Sequence, residues 1–151
     1  MRKLLMSLAT LLMLATGAAA QDAGTIGRVK VASGEASVQR DGKMLPASEG
    51  FDVERKDTLM TGADGSLGIT LNDGTLISLG PNSRFELAAF EFSPRRDAFN
   101  FFGKILEGTL IYQSGRIGKI APEKTRIETP LSVIAVRGTR FAVRVPASSG
   151  N

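Results

Sequence analysis

The chain has 151 residues, with 19 Lys and Arg against 15 Asp and Glu, and it contains no Cys, His or Trp. Without His or Cys, Ser–His–Asp and Cys–His nucleophiles are impossible, the usual zinc ligand sets are missing, and no disulfide can form. The remaining enzymatic reading is a hydrolase working with carboxylates alone, but Asp52, Glu54, Asp57 and Asp73 fall mostly at turns and match no calcium-loop pattern.

Met1-Arg2-Lys3 forms a basic start, Leu4–Ala15 is mostly apolar, and Gly17–Ala20 supplies the small residues a signal peptidase accepts. Residues 1–20 therefore read as a cleaved secretory signal. Their apolar core falls short of the roughly 20 residues a bilayer span needs. Cleavage removes Arg2 and Lys3, so the balance becomes 17 minus 15, or +2. So small an excess on an exported chain gives no reason to expect a nucleic-acid partner. The expected organisation is one domain over residues 21–146 with a polar tail at 147–151, periplasmic or secreted and not an integral membrane protein.

Ile26–Ala32 and Glu35–Arg40 read as strands, and Asp41-Gly42 is a two-residue hairpin signal returning through Lys43–Leu45. Pro46–Lys56 reads as a loop with an extended piece near Phe51 and Val53, followed by a strand at Thr58–Thr61. Leu67, Ile69 and Leu71 alternate before Asn72-Asp73-Gly74, and Thr75, Ile77 and Leu79 alternate after it. A three-residue loop closed by Gly74 in the left-handed region pairs Ile69 with Ile77 and Leu67 with Leu79, keeping one face apolar. Asp73 before Gly74 is turn chemistry. Phe85 and Leu87, then Phe90 and Phe92, share a period broken by one residue at Ala88-Ala89, which predicts a bulge. Ser93–Asn100 reads as an exposed loop, and Thr109–Gln113 as a strand beyond Gly108. The Phe99, Phe101 and Phe102 cluster reads mostly as core.

Glu128–Val145 is the stretch around which the chain reads as organised. Leu131–Val136 is apolar on both faces, as a strand covered on both sides would be. Gly138 and Thr139 mark a bulge with its local hydrogen bond. Phe141, Val143 and Val145 then alternate with Arg140, Ala142 and Arg144, so Arg140 and Arg144 form a basic stripe on a wet face. Arg137 has two readings. It could anchor a partner's carboxylate bidentately. The expectation is instead an internal pair with a turn carboxylate such as Asp57 or Asp73, because its neighbours are β-branched core positions. No later window has a helical period, so the fold class is all-β: a single compact domain of short antiparallel strands and hairpins, arranged as a sandwich, barrel or short solenoid.

Three ordered blocks, DTLMTGADGSLGITLNDGTLISLGPNSRFEL (Asp57–Leu87), LEGTLIYQSGRIGKIAPEK (Leu106–Lys124) and ETPLSVIAVRGTRFAVRV (Glu128–Val145), resemble the FecR domain family. That family usually has Gly immediately before the first Asp, where this chain has Lys56. Its founding members are iron-uptake regulators. They resemble this chain only in their periplasmic all-β part, so the resemblance implies an exported domain for envelope signalling and protein contacts. The expected function is a non-catalytic interaction module without cofactors, engaging an envelope protein through an edge strand or the basic stripe. The alternative is a carbohydrate or peptidoglycan binder, which would need exposed aromatic rings to stack on sugar.

Overall fold

The structure is a computed structural model that describes residues 24–137 and 140–147. The signal segment at 1–20, the bulge at Gly138 and Thr139, and the tail beyond residue 147 lie outside the described residues. Strand takes 61% of the described residues and helix 9%, arranged as one curled sheet, which makes this an all-β single domain.

The strands are β1 (Thr25–Ser33), β2 (Ala36–Arg40), β3 (Lys43–Pro46), β4 (Asp52–Glu54), β5 (Thr58–Thr61) and β6 (Ser66–Leu71). They continue with β7 (Leu76–Leu79), β8 (Arg84–Ser93), β9 (Ala98–Gln113), β10 (Thr125–Glu128), β11 (Val133–Ala135) and β12 (Arg140–Val145). Their order across the sheet is β3-β2-β5-β8-β9-β7-β6-β1-β4, with β10 and β12 also on β9 and β11 on β10. All pairings are antiparallel except β10 with β9.

The organising element is β9, not Glu128–Val145. Its first half pairs with β8 and β10, and its second half with β7 and β12. Phe101, Gly103 and Ile105 are buried from the first half, and Leu110 and Tyr112 from the second. An odd step separates Ile105 from Leu110, so a straight strand would turn one set outward. Gly108, at φ +90°, absorbs that step. The sheet therefore curls around one core that includes Leu59, Leu67, Ile77, Phe85, Leu87 and Ile127.

Local expectations hold where turn chemistry carried them. Asp41 and Gly42 both take positive φ. Leu67 faces Leu79 and Ile69 faces Ile77, with Gly74 at φ +84°. The β8 register slips between Glu86 and Ala89. The expected loop at Ser93–Asn100 contracts to a 3-10 turn at Pro94–Arg96, because Phe92 pairs with Phe99 and Ser93 with Ala98. A five-residue helix α1, Arg116–Ile120, appears where none was expected; one turn is too short to show a period. Leu131–Val136 is not covered on both sides: β11 is three residues long and pairs only with β10 among the described residues.

Candidate functional site

The strongest charged cluster is internal. Arg40, at the end of β2, donates Nε to Asp57 Oδ1 at 2.8 Å and Nη2 to Asp57 Oδ2 at 2.7 Å, a bidentate pair on a carboxylate that is 0% exposed. Its Nη1 reaches Glu54 Oε1 at 2.7 Å, and Nη2 also reaches the Asp52 carbonyl at 2.9 Å. Asp57 further accepts the Glu54 N–H at 2.8 Å, and the guanidinium lies 5.5 Å from the Phe51 ring centroid. The hydrogen bond to Asp57 raises the Arg40 pKa above its usual value against the opposing effect of burial. Asp57 and Glu54 are thus tied to arginine, and Asp52 pairs with Arg28 at 2.9 Å. Among the described residues no group of three or more carboxylates could hold a metal ion.

Asp73 is 1% exposed and does more than shape its hairpin. It accepts the Thr75 N–H at 3.0 Å, the Thr75 hydroxyl at 2.8 Å and the Ile117 N–H at 3.1 Å, while Arg116 N–H donates to its carbonyl at 2.8 Å. The Asp73–Gly74 turn therefore fastens the start of α1 across the molecule.

These commitments correct the expectation for Arg137. Asp57 is held by Arg40 and Asp73 by Thr75 and Ile117, whereas Arg137 is exposed and makes no ion pair among the described residues. It sits on the rim of a cavity of about 590 Å³ between the α1 end of the molecule and the end of β11. Thr125, 2% exposed, lines the same cavity, and its hydroxyl has no hydrogen-bond partner among the described residues. A second cavity of about 430 Å³ carries Glu91, Asp97 and Glu123 on its walls.

Tyr112 lies nearby, fully buried, among the hydroxyls of Ser114, Thr75 and Thr125 without closing a well-formed hydrogen bond of its own. Burial above all raises its phenol above the ordinary value of 10.0; the Asp73 carboxylate adds to this, and the hydroxyls oppose it. The unfolded chain then loses that proton first. The stabilising contribution is complete below the unfolded value near 10 and is lost as pH rises through the folded value. With one Tyr and no Trp in the chain, phenolate absorbance reports this group alone. Its titration midpoint should lie higher in the native protein than in urea, and Tyr112→Phe should flatten the alkaline loss of stability. Coincident midpoints would refute the assignment.

On the outer surface, Arg140, Ala142 and Arg144 are exposed, while Phe141, Val143 and Val145 are half-buried. Arg140 faces Gln113, Ala142 faces Ile111 and Arg144 faces Thr109, so the two arginines stand roughly 13 Å apart beside the exposed Ile111. The β10–β11 hairpin exposes Leu131 at 96% and Val133 at 58%, with β11 at an open sheet edge among the described residues. None of the aromatic residues is exposed. Arg126 lies 4.1 Å and Lys104 5.4 Å from the half-buried Phe102 ring centroid, and Arg116 lies 5.0 Å from that of Phe92.

The structure thus places Asp73 and Gly74 in a fold-fastening turn, Arg137 on a cavity rim, and Arg140 and Arg144 on an exposed strand face. Gly138 and Thr139 lie outside the described residues. Sequence reasoning missed Arg40, whose role appears only when β2 meets the Glu54–Asp57 turn. It also missed Thr125 and Tyr112, because polar residues within apolar strands carry no distinctive spacing.

The chain thus folds as a curled all-β domain whose buried carboxylates secure turns and whose exposed features include an apolar edge and an arginine stripe. The chain is a member of the FecR family: the model described as FecR protein matches residues 57–151, beginning at the buried Asp57. That family is a regulatory one linked to cell-envelope signalling. No curated protein and no solved structure matches the chain beyond chance similarity. No helix among the described residues is long and apolar enough to cross a membrane.

Proposed function

We propose that this protein is an exported, non-catalytic interaction module of the bacterial envelope that takes an extended segment of a partner protein onto the open edge of β11. The observation that carries this reading is Val133, a large apolar side chain exposed on the unpaired edge strand β11, with Leu131 exposed beside it in the β10–β11 turn. Soluble domains ordinarily blunt such an edge with charge or proline, because it is a template for another strand. Pro130 stands next to Leu131, but β11 itself carries Val133, Ile134 and Ala135. Residues 126–145 hold Arg126, Arg137, Arg140 and Arg144 against Glu128, four positive charges to one negative, so the segment that fits is apolar with acidic flanks.

The carbohydrate reading is weaker on one specific ground. A sugar needs an open ring face, and the aromatic rings here are buried or half-buried, with Phe102 and Phe92 carrying cations.

The test is crosslinking of the tagged protein in the envelope of its native cell from a photoreactive residue at position 133. One dominant protein should be captured. Its yield should fall at least about tenfold in Val133→Asp and in Arg140→Glu/Arg144→Glu, with melting temperatures within a few degrees of wild type. Retention of glycan alone, or protein capture insensitive to both variants, would overturn the reading.

A further inference from the structure

Strand β12 presents an edge whose backbone the fold does not use. Thr109 turns its N–H and its carbonyl toward the β7–β8 turn, donating to Ser83 Oγ at 2.9 Å and accepting from the Gly80 N–H at 3.0 Å. Backbone groups alternate sides along a strand, so Leu110 and Tyr112 direct theirs at β12, opposite Val143 and Phe141. β12 alternates in the same way. Phe141 and Val143 therefore turn their backbone groups to β9, and the N–H and C=O groups of Arg140, Ala142 and Arg144 point away from it. No strand lies on that side among the described residues. The side chains divide by the same period. Phe141, Val143 and Val145 pack against the core yet stay half-buried, with Phe141 stacked on Tyr112 at 5.2 Å, while Arg140, Ala142 and Arg144 are exposed. Neither arginine makes an ion pair among the described residues.

We propose that β12 receives an added strand from a partner protein, with the alternating pattern apolar-acidic-apolar-any-apolar-acidic. Residues directly opposite one another in a sheet share a face. Those opposite Val145, Val143 and Phe141 join the core side and are apolar. Those opposite Arg144 and Arg140 meet a guanidinium fork and are acidic. The outward N–H and C=O groups supply the main-chain hydrogen bonds. A second copy of this chain does not fit. Pairing β12 with itself gathers the arginines of both copies on one face, where like charges repel. The same two side chains thus bar self-association and select an acidic strand. This edge is separate from β11, where the reading rests on Val133.

The purified chain is titrated with a fluorescein-labelled peptide, Gly-Val-Glu-Val-Ser-Val-Glu-Gly, and binding is followed by anisotropy. One control has Gln in place of both Glu; the other, Gly-Glu-Glu-Ser-Val-Val-Val-Gly, keeps the composition and loses the alternation. The alternating acidic peptide should bind at least about tenfold more tightly than either. Arg140→Gln/Arg144→Gln should weaken it by about tenfold or more without moving the melting temperature. Ala142→Pro should still fold, because the N–H it removes faces no strand, and should weaken the peptide by a similar factor. Val133→Asp should bind it as wild type does. In hydrogen exchange the peptide should slow the amides of Arg140, Ala142 and Arg144 and leave those of Val133, Ile134 and Ala135 unchanged. Equal binding of the three peptides, binding of none, or wild-type affinity in the double arginine variant would overturn the proposal. So would protection at Val133–Ala135 instead of β12, or sedimentation of the free chain as a dimer. Failure of crosslinking from position 133 leaves the peptide titration untouched, so the two readings fail separately.

Discussion

Asp57→Ala should cost about 3–5 kcal/mol of stability and lower the melting temperature by roughly 10 °C or more. The carboxylate is fully buried and both its oxygens are engaged, by Arg40 Nε and Nη2 and by the Glu54 N–H. Alanine leaves that N–H unpaired and Arg40 with only Glu54 and the Asp52 carbonyl. The arginine cannot shed its charge, so the penalty falls on the fold. Replacing both partners with leucine should recover only part of the loss, since it removes the weakened arginine charge but leaves the Glu54 N–H unpaired. A control lies one residue away. Lys56 sits at φ +69°, the position where the family usually has Gly, so Lys56→Gly should raise stability by about 0.5–1 kcal/mol. Thermal melts of the three variants decide the matter. Asp57→Ala melting within about 2 °C of wild type would remove the Arg40 pair from the account.

That pair also shows which parts of the molecule could be read from residues alone. Hairpin turns and registers were legible because their signals are local: Asp41-Gly42, the Asn72–Gly74 loop and the Ala88-Ala89 slip each constrain only a few residues of backbone. The Arg40–Asp57 pair spans 17 positions and two strands, and nothing near either residue names the other. β9 was divided at Gly108 for a related reason. Glycine signals a break in a period, and sequence does not say whether the strand stops there or bends and goes on.

The candidate site followed the same logic. Alternation placed Arg140 and Arg144 on an exposed face, because period two is a property of one strand. The internal pair expected for Arg137 with Asp57 or Asp73 is not formed, because those carboxylates are held by Arg40 and by Thr75 and Ile117, and Arg137 follows an edge strand. Leu131 and Val133 look like core by composition, but Leu131 falls in the β10–β11 turn and Val133 on a strand with no strand beyond it among the described residues. An apolar strand is buried only if the topology supplies a cover. Where it does not, the same residues become the best candidates for binding.

Gly108→Ala should cost about 3 kcal/mol or more. At φ +90° an L side chain is strained in any surroundings, and here a Cβ would also run into Ser83 and the Asn82 carbonyl. Ser83 is not free to retreat. Its buried hydroxyl donates to the Gly80 carbonyl at 2.8 Å and accepts the Thr109 N–H at 2.9 Å, clamping the β7–β8 turn onto β9 where the strand bends. Gly74→Ala separates the two effects, because Gly74 has a similar φ of +84° with nothing within 4 Å of its missing Cβ. That variant should lose only the conformational part, about 1 kcal/mol. The difference between the two in urea melts measures the clamp. Hydrogen exchange should locate it, with Gly108→Ala accelerating the amides of 109–113 more than those of 101–105, since only the former depend on the bend to reach β7 and β12. Equal losses in the two variants would mean that the close approach at Ser83 is not what holds the halves of the sheet together, and that β9 is continuous through the bend without being stabilised there.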